Sequence, residues 1–196
     1  MTRYAQYNDD EGLAKARGER VRVHYKKTRE ICHFIKGMYV TKAIKYLEKV
    51  IEGTRGIPML RHTGGCGRHG SGKLLKTPGN VVSFPIKPTK KVIELLKNTL
   101  ANAKALNADL TDEDLNKVKI IHIQTNRAVK SRRRLYRAHG RIAPFMLSPV
   151  HIEIVARVVD PETEQVEKAE PAPKKALSRK QVAKLRFKLR NGASAQ

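Results

Sequence analysis

Two segments in the second half of the chain constrain its fold more than any other feature. Val118 to Thr125 is rich in β-branched residues, and Val150 to Val159 alternates Val150, Ile152, Ile154, Ala156 and Val158 with His151, Glu153 and Arg157. A period of two marks a half-buried strand. Both segments are therefore predicted as strands, the first with Ile121 and Ile123 on one face and Ile120 and His122 on the other. Paired antiparallel, they form a hairpin whose connection, residues 126–149, far exceeds the roughly two to five residues of a tight hairpin.

That connection carries the strongest chemical signal. Between Arg127 and Arg141 it holds seven basic residues (Arg127, Lys130, Arg132, Arg133, Arg134, Arg137 and Arg141), with Tyr136 and His139 among them and no acid. An ordinary solvated surface mixes both signs, so a loop this cationic needs a polyanion to order it. Arginine outnumbers lysine, which favours bidentate phosphate contacts and stacking on bases. The whole chain leans the same way, with 41 Lys+Arg against 18 Asp+Glu and a formal net charge of +23. Such an excess repels a compact state unless a partner neutralises it. Binding to many phosphates implies a steep salt dependence. Aromatics make up only 5% and Trp is absent, which argues against a stacking platform for single-stranded nucleic acid. The pattern is also not that of a basic amphipathic helix lying on a membrane.

The remaining pattern predicts an α+β domain of three helices packed on a small three-stranded antiparallel sheet, with a long protruding β-hairpin and basic extensions. Residues 1–20 read as an irregular polar arm, and Val21 to Tyr25 as a short strand. Thr28 is the expected N-cap of a first helix with Ile31, Phe34, Ile35 and Met38 on one stripe. A second helix starts at Thr41 and stops at Gly53. Residues 54–88 form an insertion with seven glycines and four prolines, too long and patternless for an ordinary connection. A third helix spans residues 89–107, with Val92, Leu95, Leu96, Thr99 and Ala103 inward, and an acidic turn follows near Asp112. The globular domain thus covers 21–159. Residues 160–196 form a tail, acidic at first, then basic from Pro171 onward. Its Ser178 and Gln181 resemble a capping box.

Several constellations imitate catalytic or metal sites. Gly67-Arg68-His69-Gly70-Ser71-Gly72-Lys73 has the spacing of a phosphate-binding loop, but Leu74 stands where Ser or Thr must hold magnesium. No buried strand leads in and no helix leads out. His62, Cys66 and His69 provide too few ligands for zinc, because Cys32 lies in an apolar helix. No nucleophile–base pair or carboxylate pair stands out, so no enzyme, cofactor or metal is expected. No apolar run is long enough to span a membrane, and the N-terminus has no apolar signal segment. Two cysteines suit reduced thiols in the cytosol.

The residues resemble a known family. Arg22-Val23-His24-Tyr25-Lys26-Lys27-Thr28-Arg29-Glu30, Ile35-Lys36-Gly37-Met38, Lys42-Ala43-Ile44-Lys45-Tyr46-Leu47 and Arg132 to Ile142 with Ser148 to Glu153 are similar to large-subunit ribosomal protein twenty-two, numbered seventeen in eukaryotes. The likeness covers about residues 3–159, and the insertion fits the archaeal and eukaryotic branch. It implies a structural, non-enzymatic constituent of the large ribosomal subunit in the cytoplasm. Its partners would be large-subunit rRNA, neighbouring ribosomal proteins and the nascent polypeptide, with no membrane and no homo-oligomer. The hairpin would help line the nascent-peptide exit tunnel. Carried over, its rRNA-facing residues would be Arg127, Lys130, Arg132, Arg133, Arg134, Tyr136, Arg137, His139 and Arg141. Arg22, His24, Lys26, Lys27 and Arg29 match a basic N-terminal segment. Arg61, Arg68, His69, Lys73 and Lys76 would make the glycine-rich loop a further rRNA contact. A free RNA- or DNA-binding regulator is the rival reading, ahead of a nucleotide-dependent RNA enzyme.

Overall fold

Strand alternation and helical periodicity resolve into defined elements in a computed structural model, which describes residues 4–5, 12–106, 111 and 114–159. Strand β1 spans Ala14–Val21, followed by helices α1, Tyr25–Ile35, and α2, Val40–Ile51. The insertion contains β2 (Ile57–Pro58), the one-turn helix α3 (Ser71–Leu74) and β3 (Val82–Ser83). Helix α4, Ile86–Leu106, leads to β4 (Val118–Arg127), β5 (Ser131–Tyr136), β6 (Ile142–Leu147) and β7 (Val150–Val158). The main sheet has the order β1-β7-β4, antiparallel throughout. The architecture is α+β, with three long helices beside a three-stranded antiparallel sheet.

One face of that sheet meets the helices. Ile31 and Ile35 of α1, Leu47 and Val50 of α2, and Val92 and Leu96 of α4 join Ile120, Ile152 and Ile154 in one fully buried cluster. Each such side chain contributes about 1.5–3 kcal/mol on leaving water. Three buried threonines satisfy their hydroxyls within their own helices. Thr28 donates to the His24 carbonyl at 2.9 Å, Thr89 to Pro85 at 2.7 Å and Thr99 to Leu95 at 2.9 Å. Thr28 is therefore an interior residue, and His24, not Thr28, occupies the N-cap position of α1.

The N-terminal expectation is corrected in two respects. Residues 14–20, read as part of an arm, form the edge strand β1 together with Val21, while Arg22 to His24 is a bend into α1 rather than a continuation of a strand. Gly18 misled the reading. A Cβ there would come within 3.0 Å of Leu95 Cδ1, so this glycine lets α4 lie close against the strand. Asn102 completes the contact, its Nδ2 donating to the Lys15 carbonyl at 2.8 Å.

The facing of β4 is also corrected. Ile120 pairs with Ala156 but His122 pairs with Val155, leaving Ile121 as an extra residue. This bulge resets the alternation, so Ile120 and Ile123 turn inward together and Ile121 does not. The opposite sheet face buries Glu153, which lies 3.8 Å from Arg17 Nε and accepts the Ala5 N–H at 3.0 Å. The capping box at Ser178 and the rest of residues 160–196 lie outside the described residues.

Candidate nucleic-acid interface

The β4–β7 ladder does not end in a loop. It runs to Arg127 opposite Val150, and the Ala128 N–H donates to the Pro149 carbonyl at 3.0 Å. Pairing then resumes at Ser131 opposite Leu147 and continues to Tyr136 opposite Ile142. The segment expected as a loop from 126 to 149 is thus a second two-stranded ribbon, and six residues of strand reach roughly 20 Å. Arg137 N donates to the Arg141 carbonyl at 2.7 Å across the tip. His139 at φ 60° and Gly140 at φ 64° adopt the left-handed conformation there, the twist that suits a tight ribbon turn.

Directly paired residues share a face of an antiparallel ribbon. Arg132 with Met146, Arg134 with Pro144 and Tyr136 with Ile142 occupy one face; Arg133 with Phe145 and Leu135 with Ala143 occupy the other. Every residue of β5 is exposed, and Tyr136 (71%), Ile142 (57%) and Phe145 (51%) show large apolar surfaces beside the guanidinium groups. A lone two-stranded ribbon is marginal in water. Cations and apolar groups on both faces suit a surrounding partner that offers phosphates together with base and sugar surfaces.

At the root of the ribbon the predicted clusters converge on Tyr25. Arg127 holds its guanidinium 4.9 Å from the centre of the Tyr25 ring, a cation–π contact. His62 of the insertion meets the same ring edge-on at 6.2 Å. Partial burial depresses the His62 imidazole below its ordinary value; Glu30 opposes this, and Arg61, Lys26 and Arg29 reinforce it. Arg22, His24, Lys26 and Lys27 are exposed around the start of α1, and Arg29 is half-buried one turn on. The sequence separates these groups; the fold joins the ribbon root, the α1 segment and the start of the insertion. The ribbon tip, with Arg137, His139 and Arg141, stands apart from that hub.

The insertion is a folded element rather than an unpatterned loop. β2 pairs with β3, Arg68 bridges to Val81, and the His69 N–H donates to the Asn80 carbonyl at 3.0 Å. His69 Nδ1 also accepts the Ser71 N–H at 3.2 Å. A Cβ on Gly72 would lie 2.7 Å from Asn80 Cα, so the chain can pass itself here only at glycine. Arg61, Arg68, His69, Lys73 and Lys76 all remain exposed around this frame. The nucleotide-loop spacing at Gly67–Lys73 overlaps the one-turn helix α3, and no strand runs directly into it. Among the described residues, no group of three or more His, Cys, Asp or Glu is placed to hold a metal ion, and no helix is long and apolar enough to cross a membrane.

Four residues beside the hub escaped sequence reasoning. His33 and Lys36 extend the Arg29 face of α1 across a groove from Gln124 and Thr125 of β4. Spacing from Arg29 would have found His33 and Lys36; only the fold shows that β4 lies across the groove from them.

Together, fold and charge define a small α+β body from which an exposed, strongly basic two-stranded ribbon extends. Comparison with known proteins narrows this to a family. Residues 16–157 match the family model described as ribosomal protein L22p/L17e. A protein of Suberites domuncula named large ribosomal subunit protein uL22 is 45% identical over 193 residues, covering 96% of each chain. A Zea mays protein of the same name is 40% identical, covering 90% of this chain and 95% of its own. One from Podocoryna carnea is 42% identical, covering 90% and 91%. The chain belongs to the ribosomal protein L22p/L17e family, whose members are structural rather than enzymatic.

Proposed function

We propose that this chain is a structural constituent of the large ribosomal subunit. It binds large-subunit rRNA, with its β5–β6 ribbon threaded between RNA segments and its tip forming part of the wall of the nascent-peptide exit tunnel. The observation that carries this reading is the ribbon itself, which presents arginines and large apolar side chains on both faces. Nothing in a free protein would cover both. In folded RNA, phosphates neutralise the guanidinium groups while bases and sugars cover Phe145, Met146 and Ile142. The hub at Tyr25, with Arg22, His24, Lys26, Lys27, Arg29 and Arg127, takes phosphates at the ribbon root. Arg61, Arg68, His69, Lys73 and Lys76 on the insertion extend that surface. Recognition is then mainly of backbone and shape. Neighbouring ribosomal proteins and the nascent chain complete the partners, and the ribosome of the cytoplasm is the location.

The test is sedimentation of a cell lysate through sucrose gradients at low and high salt. This reading requires the chain to travel with the large subunit and to resist a high-salt wash. Recovery mainly in the light fractions would favour a free RNA-binding regulator.

A further inference from the structure

The ribbon joins the body through a break in the ladder. The main sheet pairs Arg127 with Val150, and the ribbon begins with Ser131 opposite Leu147. Three residues, Ala128 to Lys130, lie between these pairs on one strand, and only two, Ser148 and Pro149, on the other. An extra residue on one strand bends a ribbon and increases its twist. The joint itself is thinly held. Ala128 donates its N–H to the Pro149 carbonyl at 3.0 Å, and a proline has no N–H to return. Val129 is 75% exposed and adds little packing. Backbone pairing therefore sets the direction of the ribbon only loosely. One residue before the joint, the Arg127 guanidinium lies 4.9 Å from the centre of the Tyr25 ring. Tyr25 opens α1 and packs against the core, and His62 of the insertion meets the same ring edge-on at 6.2 Å.

We propose that Tyr25 is the positioning residue of the ribbon: by holding Arg127 it fixes the root, and with it the direction in which the ribbon leaves the body. The inference rests on the rRNA-binding reading above and adds to it what aims the ribbon. Small errors at the root matter. Over a ribbon of roughly 20 Å, a tilt of about 15° at the root carries the tip about 5 Å, the spacing of neighbouring strands. The contact across Tyr25 is side chain to side chain, so it holds the last pair of the ladder where the backbone bonds give out. A guanidinium can lay its face on a ring while its N–H groups remain free for phosphate. Bracing and phosphate binding by Arg127 are therefore compatible. The insertion is indexed to the same point, through His62 on the ring and through the Leu60 N–H on Glu30 of α1 at 3.1 Å. One side chain thus sets the ribbon, the start of α1 and the insertion relative to one another. A leucine at this position would fill similar space but offer no π face to Arg127.

The experiment uses the full chain carrying Cys66→Ser, with spin labels at Ala101→Cys on α4 and Val129→Cys at the joint, both exposed positions. Cys32 is buried and stays unlabelled. The distance between the labels should be narrowly distributed in this background and in Tyr25→Phe, which keeps the ring. Tyr25→Leu and Arg127→Ala should each broaden or shift it. The same substitutions, without labels, are then titrated with deproteinised large-subunit rRNA at low salt. Tyr25→Leu should weaken binding about two- to fivefold, the scale of an exposed cation–π contact, and Tyr25→Phe should restore most of that loss. Added to Arg127→Ala, Tyr25→Leu should cost nothing further, because the contact is already gone. Unchanged distances in both Tyr25→Leu and Arg127→Ala would overturn the proposal, as would affinity losses that multiply in the double variant. If Tyr25→Leu fails to fold, Arg127→Ala, a change to an exposed side chain, decides the matter by distance alone. Failure of the wild type to bind the rRNA would overturn the RNA-binding reading only, since the distances are measured without RNA.

Discussion

The buried carboxylate of Glu30 on α1 accepts a hydrogen bond from the backbone N–H of Leu60 at 3.1 Å. This bond spans 30 residues of sequence and ties the insertion to the first helix. Burial alone would push the Glu30 carboxyl up. The N–H groups of Leu60 and Arg61 and the Arg29 guanidinium more than offset that and hold it below its ordinary 4.5. Glu30→Ala should therefore destabilise the protein by about 1–3 kcal/mol, the cost of orphaning buried donors. Denaturant unfolding measures it, and amide exchange should show the greatest loss of protection around residues 59–62.

The same carboxylate sets a pH dependence. Its folded-state value is depressed, so the unfolded chain binds the proton more readily. The stability it adds is complete above about 4.5 and is lost as pH falls below that through the depressed folded value. Unfolding curves between pH 3 and 6 should show this loss in the wild type and a shallower one in Glu30→Gln.

Arg132, Arg133 and Arg134 lie on an exposed ribbon, so replacing all three by Ala should leave the melting temperature nearly unchanged. RNA affinity should fall, and the slope of log K against log salt should flatten by about 0.7–0.9 for each phosphate no longer neutralised. A salt titration against structured rRNA fragments reads both. A large drop in melting temperature would show that the arginines serve the fold instead.

The cysteines differ sharply in environment. Cys32 is buried in the core, and desolvation pushes its thiol up to about 12. Cys66 is half-buried in the insertion. In the native chain a maleimide reagent should label Cys66 first and reach Cys32 only on unfolding, since the thiolate is the reactive form. Mass spectrometry of the labelled peptides gives the order.

Gly72→Ala should loosen the insertion without unfolding the body. The added methyl would meet Asn80 backbone at 2.7–2.9 Å, an overpacking strain of about 1–3 kcal/mol. Amide exchange near His69 and Asn80 should quicken, while the core of α2 stays protected.

Most of the body was legible because its signals are periodic. Leu47 and Val50, Val92 and Leu96, and the alternation of β7 each repeat at the spacing of their element, and the structure buries them as expected. The misreadings have local causes. Gly18 hid β1 because its absent side chain serves the close approach of Leu95, which sequence pattern does not register. The bulge at Ile121 inverted half of β4, since one inserted residue exchanges the faces. The insertion looked unstructured because backbone hydrogen bonds such as His69 to Asn80 hold it, rather than a hydrophobic period. The arginines of the ribbon stood out at once by charge. Their meeting with Tyr25, and the groove beside it, needed the fold.

The central claim is that the ribbon takes its stability from RNA, and hydrogen exchange at the amides of residues 131–147 tests it most directly. Those amides should exchange quickly in the free chain and become strongly protected in purified large subunits. Strong protection in the free chain, or equal exchange in both states, would contradict the account.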